Sequence, residues 1–142
     1  MGKTLKSWVS LLISGSLIML LAYTGIMKLW EHEDFLIKLL KSPLIPKRHI
    51  ELISYAVPVF ELLVVGLLVF KPRWGLYGSL MLLCSFTVYL VLLNRYTNYT
   101  GCSCGGIFNN LNYTTHLFVN LAFIIANVLA ILMISAEKNM EE

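Results

Sequence analysis

Charge is what this chain has least of. Only 13% of its 142 residues are Asp, Glu, Lys or Arg, against 58% that are hydrophobic. A soluble domain of this length has no interior large enough to hide that much apolar surface, so lipid must cover it. The net charge of +3 is small. Its Lys and Arg fall in the breaks between apolar runs, where they meet lipid headgroups. They form no nucleic-acid footprint. Cysteine is scarce as well, and three residues are too few for a disulfide scaffold. No Gly-x-Ser-x-Gly, phosphate-binding loop or dinucleotide fingerprint occurs, which removes the commonest hydrolase and nucleotide signatures. There is no internal repeat and no low-complexity tract, and the length fits one domain.

What the chain does have is long apolar runs. The first span is expected over 8–30. Its ~23 residues reach ~34 Å as a helix, enough to cross a bilayer. A signal peptide would have a shorter apolar core ending in a small-residue cleavage site, so the run reads as a retained helix. Lys28, beside Trp30, is expected to snorkel to the interface. Over 31–41, Glu31, Asp34, Lys38 and Lys41 recur on one side while Phe35, Leu36, Leu39 and Leu40 fill the other. That pattern suits a short helix lying in the interface. Ser42-Pro43-Leu44-Ile45-Pro46 ends it, because each proline disfavours helix in the residue before it. A second span follows over 49–70, with Pro58 inside it to kink the helix. After the basic turn Lys71-Pro72-Arg73 comes a third span over 74–94. A polar loop occupies 95–112, and a fourth span runs over 113–134 before a charged tail. The expected architecture is all-α: a left-handed integral membrane bundle of four helices, with an interfacial helix between the first and second spans.

Four spans put both termini on one side. The first helix and the shortest loops dominate the basic bias, so Lys3/Lys6 and Lys71/Arg73 favour cytoplasmic termini. The 95–112 loop then faces outward, to the periplasm if the chain sits in a bacterial inner membrane.

That loop carries Thr100-Gly101-Cys102-Ser103-Cys104-Gly105-Gly106. Two thiols with one residue between them close only a small ring, whose geometry departs from the relaxed disulfide range and is easy to reduce. The flanking glycines leave little bulk, so a partner's sulfur can approach. An exchanger needs both properties. A structural pair, or part of a metal site, is the competing reading. His116 opens the last span, where an imidazole would lower a thiol's pKa or take its proton. Otherwise it is an interfacial histidine. Asn120 and Asn127 share its face and read as interhelical hydrogen-bonding groups. Glu61 is the only acid well inside a span, ~15 Å from the Lys71 turn, and a carboxylate at that depth is a functional hypothesis by default. It either handles protons or is hydrogen-bonded to the first or third span. Cys84 has no second thiol at its depth and is expected to be a buried, inert residue.

Several of these features together resemble the MauE-like, redox-associated branch of the DoxX/MauE family of small four-helix membrane proteins. They are Lys28-Leu29, the 42–46 segment, Val57-Pro58-Val59-Phe60-Glu61-Leu62, and Cys102-Ser103-Cys104-Gly105-Gly106 before a helix that opens with His116. The resemblance covers about 17–134. It implies a DoxX-like fold, and Cys102 and Cys104 as a redox pair. It also implies a thioredoxin-like partner or an exported disulfide-containing protein, and a link to maturing a periplasmic methylamine dehydrogenase subunit.

Three readings of function stand. The first is a thiol-disulfide redox protein, with electrons passing to the partner or to a quinone bound among the helices. No quinone motif is legible. The second is a Cu(I)- or Zn(II)-binding membrane protein using Cys102, Cys104 and His116, although a closed zinc site wants a fourth ligand. The third is a non-catalytic assembly subunit whose loop docks a partner.

Overall fold

The computed structural model of the chain describes residues 2–96 and 112–141. Its elements are α1 (Gly2–Trp30), α2 (His32–Lys41), a 3-10 turn (Lys47–His49), α3 (Ile50–Phe70), α4 (Pro72–Tyr96) and α5 (Tyr113–Glu141). Four of the helices are long and apolar enough to cross a membrane: Thr4–Trp30, Lys47–Phe70, Pro72–Tyr96 and Tyr113–Asn139. No strand occurs among the described residues.

The helices outrun the apolar runs that foretold them. α1 starts six residues before the expected span, and α5 carries Glu137 and Lys138 on its last turns. Hydropathy marks where lipid begins and ends. A helix needs only its backbone ladder to continue past that point, and no proline interrupts it here. α4 begins at Pro72, in the first helical position, where the missing N–H goes unnoticed. Pro58 lies inside α3, which continues through it although the Ser54 carbonyl loses its ladder donor.

The four long helices close a ring in which α1 packs on α3, α3 on α4, α4 on α5, and α5 back on α1. A single residue, Lys71, separates α3 from α4, so these two are antiparallel neighbours. At this end a large apolar cluster holds the bundle. Leu17, Leu21, Val64, Leu68, Leu76, Leu83 and Ala130 are its buried members. Gly75 lets α4 turn in against α3: a Cβ there would sit 2.4 Å from the Leu68 backbone N. One polar contact is set into this cluster, where Asn127 Nδ2 donates to Ser79 Oγ at 2.7 Å, and Ser79 Oγ in turn donates to the Leu76 carbonyl.

α2 is amphipathic as expected. Phe35 and Leu39 are buried against Ile50, with Ile53 and Val57 beside them, while Glu33, Asp34 and Lys41 are exposed. Its first residue also reaches α3: His32 Nε2 lies 3.0 Å from Ser54 Oγ, and the imidazole stacks on Tyr55 at 4.1 Å between ring centroids.

Cys84 corrects the sequence expectation. It is exposed on the outside of α4, not buried. In water a thiol gains by leaving the solvent. On a helix surrounded by lipid, the outer face is itself apolar, so nothing drives a cysteine inward.

Candidate functional site

In an all-apolar bundle, the informative groups are the polar ones that no solvent reaches. The largest concentration of them lies between α1, α3 and α5. Glu61 is fully buried on α3, and Lys28 on α1 is 4% exposed. Lys28 Nζ donates to Glu61 Oε1 at 2.5 Å, a buried ion pair between residues 33 apart in sequence. Thr24, one helical turn before Lys28, places its hydroxyl 3.5 Å from the same carboxylate oxygen, while that hydroxyl also donates to the Leu21 carbonyl at 3.3 Å.

The backbone lets the pair form. Gly25 sits where α1 crosses α3. A Cβ there would lie 3.3 Å from both Glu61 Cβ and Glu61 Oε2, so a larger residue would press on the carboxylate. Small residues at such crossings allow helices in lipid to approach closely. The ammonium is also held from α4 and α2. Lys28 Nζ lies 4.5 Å from the centroid of Phe86 and 5.8 Å from that of Phe35. Both distances are within reach of cation–π attraction, which strengthens when the cation is desolvated.

Lys28 therefore does not snorkel to the interface. It turns inward, because Glu61 offers an opposite charge where the alternative is an uncompensated carboxylate in hydrocarbon. The expected alternative for Glu61, hydrogen bonding to the first span, takes the form of this ion pair.

His116 joins the same site. It lies on the first turn of α5, where its backbone N–H donates to the Asn112 carbonyl at 3.0 Å, and its side chain is 2% exposed. A small cavity is lined in common by Thr24, Lys28, Glu61, Phe86, His116 and Asn120. The structure thus brings two of the four sequence-proposed site residues, Glu61 and His116, into one cavity. It adds Lys28 and Thr24, which sequence reasoning had not assigned to it. A usable signal for Lys28 existed: a lone acid deep in one span calls for a cation at matching depth in another. The other two site residues, Cys102 and Cys104, lie outside the described residues. Asn120 turns into the cavity, and Asn127, as expected, makes an interhelical hydrogen bond, in the apolar cluster below it.

The cavity's end of the bundle is defined by connectivity. α1 ends at Trp30, α4 at Tyr96, and α3 and α5 begin at Ile50 and Tyr113. Residues 97–111, which include the cysteine pair, follow α4 and precede α5 in sequence. His116 is the site residue nearest to them in sequence.

No curated protein and no solved structure matches this chain. A family model does, over residues 6–134, which is nearly the whole of the bundle from the first turns of α1 to the last apolar turns of α5. The chain belongs to the family described as methylamine utilisation protein MauE.

Proposed function

We propose that this protein is a membrane thiol-disulfide oxidoreductase in which Cys102 and Cys104 exchange a disulfide with a thioredoxin-like or exported protein. The observation that carries the reading is the position of His116. It is buried beside a Lys28–Glu61 ion pair, on the first turn of the helix that follows the cysteine-bearing segment. A thiol must lose its proton to become a nucleophile. A polar cavity at this end of the bundle supports that chemistry better than a purely apolar one. The family's name supports a place in methylamine utilisation, where an exported enzyme rich in disulfides would be the beneficiary.

In this reading the protein lies in the inner membrane with its termini in the cytoplasm, and α2 rests along the outer interface. Electrons arrive from, or leave to, the partner's own dithiol. A quinone among the helices is the other route, and dependence of exchange on added quinone separates the two.

The test is an exchange assay with the purified full-length protein in lipid nanodiscs and a thioredoxin-like protein as partner. Wild type should oxidise or reduce the partner, and Cys102→Ala and Cys104→Ala should each abolish turnover. Turnover that survives in either variant would refute the assignment. Equal partner binding by wild type and both variants, with no turnover in any, would establish docking alone.

A further inference from the structure

Beside the ion pair, the cavity offers about 30 Å3 to the centres of water molecules. One water needs roughly 10–15 Å3 by that measure, so the space suits ~2 water molecules. Apolar cavities of such size stay dry, but Thr24, Lys28, Glu61, His116 and Asn120 put polar groups into this one beside its leucines, valine and phenylalanine. Its titratable groups come from three helices, Lys28 from α1, Glu61 from α3 and His116 from α5. From α4 the lining takes only Leu83 and Phe86, neither of which titrates. A carboxylate and an imidazole that share a cavity with room for water give a proton two resting places, one on oxygen and one on nitrogen.

We propose that this cavity is a proton-exchange site, in which resident water joins Glu61 to His116 and a proton passes between them. Lys28 is a positioning residue. Its ammonium fixes Glu61 Oε1, and the ring faces of Phe86 and Phe35 hold the ammonium in turn. The site's existence does not depend on the redox reading, but its purpose rests on it. When a dithiol reduces a partner disulfide, two S–H bonds and one S–S bond break while one S–S bond and two S–H bonds form. Two electrons move to the partner and no proton is gained or lost overall. Each proton nevertheless leaves one sulfur before another receives it. Glu61 and His116 hold it in between.

The experiment is infrared difference spectroscopy of the full-length protein in nanodiscs, titrated from alkaline to acid pH in H2O and in D2O. Wild type should gain a carboxylic C=O band that shifts in D2O and is absent from Glu61→Gln. The midpoint of that band should move in His116→Gln, a variant that leaves the Lys28–Glu61 pair in place and so keeps the test valid if Glu61→Gln fails to fold. A purely structural ion pair would show no such band across the titration while helical content stays constant, and that result overturns the proposal. A band indifferent to His116→Gln overturns it equally. Exchange assays on the same samples separate the two levels. If the band behaves as expected but the pH profile of exchange is the same in wild type and Glu61→Gln, the proton site stands and its link to thiol chemistry falls. If wild type exchanges nothing while the band is present, the redox reading falls alone.

Discussion

The two ends of this bundle are built by different rules. At the α3–α4 turn, leucines and valines pack around a glycine with almost no polar content apart from the Ser79–Asn127 contact. Toward the other end, the same helices enclose an ammonium, a carboxylate and an imidazole around a cavity with room for water. Helix association in lipid gains little from hydrophobicity, because lipid tails are as apolar as leucine. Close packing and buried hydrogen bonds must hold the helices. The turn end relies on the first of these. The opposite end has charges, whose desolvation an equally sized apolar set would avoid. The ion pair is also a buried hydrogen bond between α1 and α3, so it holds helices at the cost of desolvating two charges. On the proposed function, the cavity end carries the chemistry and the turn end is scaffolding.

Substitutions can break this comparison, and the largest effect is expected at the ion pair. Lys28→Met takes the cation away from the buried Glu61 carboxylate, which should cost about 3–5 kcal/mol of stability in a detergent unfolding titration. Adding Glu61→Leu to it should recover most of that loss, since a well-packed apolar pair replaces a buried ion pair at little cost. Failure to recover would mean that the pair is itself scaffolding, and the contrast between the ends would collapse. Next in size is Gly75→Ala. The added Cβ meets the Leu68 backbone, not a flexible side chain, and about 1–3 kcal/mol should be lost in the same titration. This change at the scaffolding end should leave the pH profile of exchange untouched. Smaller still is Ser79→Ala, which takes the acceptor from Asn127 Nδ2 and should cost about 1 kcal/mol. Cys84→Ala changes a lipid-facing residue and should alter stability by no more than about 0.5 kcal/mol, with exchange activity intact. A loss of exchange in that variant would put a third thiol into the mechanism.

The helices were legible because each apolar run exceeds the length a bilayer demands, and every proline and basic turn falls between runs or at a helix start, Pro58 excepted. The amphipathic pattern over 31–41 was equally readable, because Phe35 and Leu39 recur at helical spacing. Less of the site could be read. Glu61 stood out as an acid in hydrocarbon and His116 as a polar residue opening a span. Lys28 was misjudged because its position beside Trp30 fits interfacial snorkelling, and local sequence does not report a partner 33 residues away. Cys84 was misjudged because the habit of cysteine to be buried is a rule of water-soluble cores. In both cases local pattern set the expectation, and the medium or a distant charge decided the outcome.

The proposed exchange of disulfides by Cys102 and Cys104 takes place on the outer side of the membrane. Its most direct test is the redox state of the pair in cells, trapped by acid and thiol alkylation, with Cys104→Ala alongside. The pair should cycle between dithiol and disulfide. In the variant, the lone Cys102 should be captured as a mixed disulfide with a thioredoxin-like or exported protein. A membrane-impermeant thiol reagent should reach the reduced pair without permeabilisation and should not reach Cys84. A pair that stays reduced, captures nothing, and is shielded from alkylation by bound copper or zinc would contradict disulfide exchange and favour a metal site.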